Sequence, residues 1–489
     1  MSRKDFKLRL YNTLGREVQD FVSIEPNKAR LYACGPTVYA NLTIGNFRTY
    51  IFEDILRRTL EYLDYNVRHV MNITDVGHLT SDADDGEDKM VSGAKREGKS
   101  VWEIAEYYTK QYFTDADSLN ILRPHVIAKA TDHIQDMINM IRQLEGRGFT
   151  YEADGNVFFD VGKFERYDEL ALLDRQNLQA GFRVSIDSSK RNPADFGLWF
   201  THSKFEHQEM LWDSPWGKGY PGWHIECSAM ASRYLGNAID IHCGGIDHIP
   251  VHHTNEIAQS EAALGIYSKS NQRWVNYWCH GEFLKVDGTK MGKSPGNLIT
   301  LDDLIKQGFS PLDYRFFVLG AHYRSHQNFT IEALKGAQSS RKNMCNQIAE
   351  LIKNMEIDHI DELKSLRLSV DQGIVLDNMI YHASNDLSIP RVLSELWALL
   401  RRDDVSVSIV LKIIEDIDKI LGLGLCEEGL IIAQRSSLID TEIDLLIKER
   451  DKARLNKDYI KADAIRDQLL EKGIELRDSP SGTLWHKLS

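Results

Sequence analysis

Residues 30–74 read RLYACGPTVYANLTIGNFRTYIFEDILRRTLEYLDYNVRHVMNIT, and the succession of element types here decides the fold class. Arg30 to Cys34 is a short apolar run closed by Gly35-Pro36, the pattern of a buried strand. Phe47 to Leu63 places apolar side chains at Tyr50, Ile51, Ile55, Leu56, Leu60 and Leu63, one face of a helix. Tyr65 to Thr74 returns to a strand pattern. Strand, crossover helix and strand make a βαβ unit, which implies a parallel sheet. Ligands of such sheets bind at the carboxyl ends of the strands, where Cys34 and Thr74 both lie.

Working outward, Thr131 to Glu145 reads as a helix stopped by Gly146 and Gly148, and Asp154-Gly155 between apolar alternations marks a hairpin. The stretch from about Tyr151 to Tyr220, rich in Asp, Asn, Ser and Gly, reads as an insertion between two halves of the sheet. The parallel pattern then resumes: a helix over Gly222–Leu235, a strand over Ile239–His242 and a helix over His252–Leu264. After Trp274 comes a hairpin-like stretch, EFLKVDGTKM. From about Thr330 to Leu423 the pattern is helical, and Asp440–Ser489 reads as two charged helices and a small β turn around Pro480 and Gly482.

At 489 residues the chain is too long for one ordinary core, so several domains are expected. No apolar run approaches the ~18 to 20 residues a membrane helix needs, and the charged start MSRKDFKLRL has no apolar signal core behind it. A soluble, cytoplasmic protein with no membrane partner is expected. The six scattered cysteines form no disulfide framework, so any special one is catalytic or a metal ligand. The net charge of −13 disfavours an extended nucleic-acid face, but Leu446–Ser489 carries ten Lys/Arg against eight Asp/Glu, which leaves room for patchy RNA contact.

Three segments carry chemistry. In YACGPTVYANLTIGNFRTY, Gly45 and Asn46 stand where the helix begins, and free N–H groups with the helix dipole suit an anion there; a small-residue turn with an N-cap Asn fits the same letters. In VDGTKMGKSPGN, Lys290 and Lys293 share a loop with Gly288, Gly292 and Gly296, which reads either as a mobile polyphosphate clamp or as a solvated surface loop. In PVHHTNEIAQSEAALG, His252 and Glu256 stand four apart on one helix face, either sharing a metal or making a surface pair. Cys227 has no local cysteine partner, and spacing cannot place it beside Cys34.

Taken together these segments resemble the cysteinyl-tRNA synthetases, a class I family, over nearly the whole chain. CGPTVY, NITDVGHLT, ADSLNILRP, RNPADFGLW, SPWGKGYPGWHIECSAM, DIHCGGIDHIPVHHTNEIAQS and KMGKS appear in family order. The resemblance implies an α/β fold: a Rossmann-like catalytic domain in two halves (1–125 and 221–290) with a connective insertion (126–220). A signature-loop and stem-contact region (291–330), a helical tRNA-binding bundle (331–432) and a small C-terminal α+β anticodon domain (433–489) follow. It implies one zinc ion on Cys34, Cys227, His252 and Glu256, whose open position takes the thiolate of L-cysteine and so excludes serine. ATP accompanied by Mg2+ and tRNA(Cys) are the other implied partners, and the chain is expected to act as a monomer.

The family's HIGH signature falls on Thr43, Ile44, Gly45 and Asn46, so both histidines are replaced; the KMSKS signature stands as Lys290-Met291-Gly292-Lys293-Ser294. Gly45, Asn46 and Lys293 match ATP-binding positions, and Lys290, Lys293, Thr43 and Asn46 match catalytic ones. Thr74, Trp223, His242 and Asp247 match residues of the cysteine and adenylate pocket, and Arg454, Tyr459, Asp463 and Asp478 match anticodon contacts. Two other readings stand beside this one: a ligase joining activated cysteine to a small amine, and a tRNA-binding paralogue without activity.

Overall fold

The computed structural model describes residues 3–77, 89–172, 190–202, 209–266, 272–291, 297–355, 357, 359, 361–362, 370–479 and 482–487. The chain divides into two compact units, one of Met1–Arg341, Ser369–Leu399 and Ile417–Leu423, the other of Lys342–Leu368, Leu400–Asp416 and Gly424–Ser489.

The first unit opens with an antiparallel pair, β1 (Arg9–Asn12) and β2 (Glu17–Asp20). β3 (Lys28–Ala33) and β4 (Asn66–Ile73) then run parallel, joined by the helix α1 (Ile44–Tyr62), which is the βαβ unit read from residues 30–74. β5 (Val126–Lys129) extends the sheet beyond β4. The chain then forms a four-stranded antiparallel sheet of β6 (Thr150–Ala153), β7 (Asn156–Phe159), β8 (Phe196–Phe200) and β9 (Tyr220–Pro221). Asp154 (φ 48°) and Gly155 (φ 77°) form the predicted tight turn, both in the left-handed region that a two-residue hairpin demands.

β10 (Ile239–Gly245) and β11 (Val275–Gly281) complete the parallel sheet, whose order is β11-β10-β3-β4-β5. β3 therefore has β4 on one side and β10 on the other, which makes the crevice beyond its carboxyl end the switch point where ligands sit. Sequence reading missed β11, because VNYWCHG is buried on both faces apart from Asn276 and has no clean alternation. One face of the inserted sheet shares the core of the parallel sheet. Phe159, Phe196 and Trp199 belong to the same buried cluster as Tyr32, Cys34, Cys227 and Trp278.

Beyond β11 the chain bends at Glu282-Phe283 into a hairpin of β12 (Leu284–Val286) and β13 (Thr289–Lys290), turning on Asp287 and Gly288 at positive φ. β14 (Gln327–Phe329) pairs with β12 in parallel. The strand-poor stretch expected from about residue 330 holds helices Ile331–Asn354, Val370–Ser384, Ile389–Leu400 and Val407–Leu421.

The second unit ends in helices Leu425–Leu455 and Tyr459–Glu471 and an antiparallel pair, β15 (Ile474–Ser479) and β16 (Gly482–Lys487). Ile443, Ile447, Ile465, Leu469, Ile474 and Leu476 form a small buried cluster between these last elements. No described helix is long and apolar enough to cross a membrane.

Candidate active site

Cys34 follows β3 directly, and its N–H donates to the Cys243 carbonyl of β10 at 3.1 Å. Gly35 makes that placement possible: a Cβ there would lie 1.7 Å from the Asn72 carbonyl oxygen, so only glycine lets the loop run this close to β4. Cys227 lies in the second turn of the helix Trp223–Leu235, which starts at Gly222. A Cβ on Gly222 would approach the Gly197 carbonyl to 2.0 Å, so glycine again allows a helix start to press on β8.

His252 and Glu256 come from the far side of the crevice. A π-helical turn over Ile249–His253 leads into the helix Thr254–Leu264, and the i, i+4 spacing brings His252 Nε2 to 3.0 Å from Glu256 Oε1. One ligand atom each from Cys34, Cys227, His252 and Glu256 lies within 4.8 Å of the other three, and all four residues are buried. This is the grouping that spacing alone left open.

The electrostatics suit a cation. The Cys34 thiol, as hydrogen-bond partner, draws Cys227 down to about 7, helped by His252, while burial pushes Cys34 up. Burial opposes the charge on His252, yet Glu256 and Cys227 raise it to about 10. Burial also opposes the charge on Glu256, but His242 and His252 hold it down at about 2. Glu256 Oε1 is buried and, despite its closeness to His252, accepts no hydrogen bond of good alignment. A buried, ionised oxygen within a sulfur, nitrogen and oxygen donor set fits zinc.

His residues that sequence reading did not single out back this group. His224 Nδ1 stands 2.9 Å from His252 Nδ1, orienting the ring whose Nε2 faces Glu256. His253 lies 3.3 Å from Cys34 Sγ and passes a hydrogen bond to His280, which meets Thr13 Oγ1. Cys34, His242, His253 and Glu256 form a second close group that shares two members with the first. The adjacent His252-His253 pair was the available signal for these contacts, but nothing in the sequence brings His224 or His280 to it.

A cleft of about 550 Å³ opens from Cys34, Cys227 and His252 past Trp223 and Asp247 to Thr43, Gly45 and Asn46. Trp223 stacks on His252 with ring centroids 4.2 Å apart. Thr43 rather than Asn46 caps α1: Thr43 Oγ1 accepts from the Asn46 N–H, and Asn46 Oδ1 accepts from Thr43 N–H at 3.0 Å and from its hydroxyl at 2.7 Å. Asn46 is thus tied by its carbonyl to the cap.

Two expected pocket residues do not line the cleft. Thr74 is buried, and its hydroxyl donates to Glu226 Oε2 at 3.1 Å while accepting from Asn72 Nδ2. His242 is fully buried with Nε2 3.0 Å from Glu256 Oε2, so it stands behind the carboxylate. Thr74 follows the end of β4, while His242 lies mid-strand because β10 runs on to Gly245 instead of ending at His242 as expected. Lys290 ends β13, its side chain lying outside the described atoms; Lys293, Gly292 and Gly296 lie outside the described residues.

In the second unit, Arg450 holds Asp478 through two bonds of 2.8 Å, and Arg454 adds a third at 2.9 Å. These arginines, Arg450 first, keep the Asp478 carboxyl far below the ordinary carboxylate range. Tyr459 and Asp463 are exposed on the helix Tyr459–Glu471.

Residues 20–339 match the family described as tRNA synthetases class I (C) catalytic domain. A cysteine–tRNA ligase of Treponema denticola is 50% identical over 98% of this chain and 100% of its own length. Cysteine–tRNA ligases of Borrelia hermsii (43%, covering 97% of this chain and 98% of the relative) and Burkholderia lata (44%, covering 97% and 96%) are also similar. Among solved structures, the LeuRS of Agrobacterium radiobacter K84 superposes with a TM-score of 0.57 at 11% identity, covering 84% of this chain and 85% of that one. Mycobacterium tuberculosis methionyl-tRNA synthetase gives 0.53 at 15%, covering 82% and 92%. At such identities these two show the shared fold. With half its residues identical to a curated relative along the full length, the chain belongs to the class I cysteine–tRNA ligase family.

Proposed function

We propose that the chain activates L-cysteine with ATP to cysteinyl-adenylate, releasing diphosphate, and transfers the cysteinyl group to the 3′-terminal ribose of tRNA(Cys). The observation that carries this reading is the convergence of Cys34, Cys227, His252 and Glu256 at the end of a cleft whose other end is the start of α1. Those four residues would hold zinc. When bound, zinc distinguishes a thiolate from a hydroxyl, because the latter stays protonated and ligates poorly at neutral pH.

The chain's own residues would do the rest. Trp223 and Asp247 wall the amino-acid end, and Gly45, in the capped first turn of α1, lines the other end, where its N–H would meet the ATP phosphates. The cysteine carboxylate attacks the α-phosphorus in line, and Lys290 and Lys293 stabilise the leaving diphosphate with accompanying Mg2+. The ribose hydroxyl then attacks the adenylate carbonyl and AMP leaves. Arg454, Tyr459, Asp463 and Asp478 of the second unit would contact the tRNA anticodon, as the resemblance implies.

The test is charging of total tRNA with labelled cysteine, with and without ATP, serine serving as control, on protein assayed for metal. About one zinc per chain and ATP-dependent, cysteine-only charging are expected, with Cys227→Ala losing both metal and activity. A fully active, metal-free protein sinks the zinc reading. Cysteine-dependent ATP–diphosphate exchange without charging points to a small-amine ligase instead.

A further inference from the structure

Arg48 occupies the second turn of α1, one turn beyond Gly45, and is 3% exposed. Among the described residues its guanidinium has no carboxylate partner at hydrogen-bonding distance; it donates to four backbone carbonyls. Nη1 reaches Glu282 O at 2.8 Å and Phe283 O at 2.7 Å, and Nη2 reaches Ser325 O at 2.5 Å and His322 O at 3.4 Å. Glu282 and Phe283 form the bend between β11 and β12. His322 and Ser325 lie in the segment entering β14, the parallel neighbour of β12. One side chain therefore grips both roots of the small sheet whose β13 ends at Lys290.

The other end of the lysine segment returns to the start of the same helix. Ile44 N–H donates to Ile299 O at 2.9 Å, and Thr43 bridges Thr300 in antiparallel pairing. Tyr314 donates to Ile44 O at 2.5 Å and closes the cap from behind. The bend at Glu282-Phe283 before β12 and the pair Ile299-Thr300 beyond the lysines are thus both fastened to residues 43–48, the cap and first turns of α1. A residue needed only to fill space here would be apolar; a buried guanidinium is costly unless its donors are matched, and these are matched to carbonyls on two separate bends.

We propose that Arg48 is a positioning residue for amino-acid activation: it fastens the entry of the lysine loop to the helix turn that faces the ATP phosphates. The inference rests on the reading of the cleft as the site of adenylate formation. Arg48 touches no substrate. It sets the register between the loop and the start of α1, and displacement of a catalytic group by about 1 Å costs orders of magnitude in rate.

The test uses full-length, zinc-loaded Arg48→Lys and Arg48→Gln beside the parent protein. Lysine has one nitrogen with three donors and cannot serve both bends in a plane, so it is the informative change and decides the matter if Arg48→Gln fails to fold. Cysteine-dependent ATP–diphosphate exchange is expected to lose tenfold or more in kcat, with the cysteine KM within twofold of the parent and one zinc per chain retained. Amide hydrogen exchange over residues 284–290 should quicken while residues 239–245 stay as protected as before. A kcat within twofold of the parent overturns the proposal. So does a parallel loss of kcat, cysteine affinity, zinc and thermal stability, which makes Arg48 a general packing residue. If the parent itself shows no cysteine-dependent exchange, the functional reading has failed, and the hydrogen-exchange comparison still decides whether Arg48 fastens the hairpin.

Discussion

At the scale of single residues, the departures at Thr43 and Asn46 from the family's histidines are accommodated by a capping box. Asn46 Oδ1 is engaged by Thr43, so a histidine at 46 exchanges a cap interaction for an imidazole at the cleft. Asn46→His is expected to change the activation rate by no more than about tenfold, ~1.4 kcal/mol in the barrier. A larger gain in ATP–diphosphate exchange would show the natural protein to be catalytically impaired. His69 tests a different property. Both its ring nitrogens are buried without a hydrogen-bond partner among the described residues, and burial, with Arg57 and His125 adding to it, lowers its pKa to about 3 from 6.5. Between those values the unfolded chain binds the proton and the folded chain does not. Stability therefore rises with pH across that window and falls on acidification through it. Going from pH 6.5 to pH 5 removes at most about 2 kcal/mol through this group. Thermal melting of His69→Leu should be less acid-sensitive than that of the parent over this range; equal sensitivity in both would assign the acid lability elsewhere.

At the scale of elements, the periodic pattern of residues 47–63 and the Asp-Gly pairs at 154–155 and 287–288 were sufficient to locate α1 and both hairpins, because helix period and left-handed turns are local properties. β11 was not legible, since a strand covered on both faces looks like any apolar run. The loop after β3 depends on a contact no local pattern contains. Gly35→Ala would push a Cβ into the Asn72 carbonyl, and the loop or β4 must move. A loss of about 3 kcal/mol in stability is expected, with zinc content falling because Cys34 moves with the loop. Calorimetry and metal analysis on one preparation check both; an unshifted melting temperature with full zinc would mean that the loop yields freely.

At the scale of the whole molecule, the residues proposed for activation fall in the first unit and those proposed for anticodon contact in the second. Arg454 is half-exposed, and Arg450 alone already holds both oxygens of Asp478. Arg454→Ala should therefore leave the β15–β16 pair folded. The expected outcome is a loss of about tenfold in kcat/KM for tRNA charging with cysteine-dependent ATP–diphosphate exchange unchanged within twofold. A drop in exchange of the same size would show that the residue matters to folding rather than to tRNA. By itself, the sequence determined the parallel α/β architecture, the helical stretch from about residue 330, and, through the ordered motifs from CGPTVY to KMGKS, the family. Only the tertiary structure decided that Cys34 and Cys227, 193 positions apart, meet His252 and Glu256, that Thr74 and His242 stand behind the cleft, and that Arg48 reaches two distant bends. Periodicity records which face of an element is buried. Which side chains share a point in space depends on strand order and on close backbone approaches such as those at Gly35 and Gly222, and these exist only once the sheet is assembled.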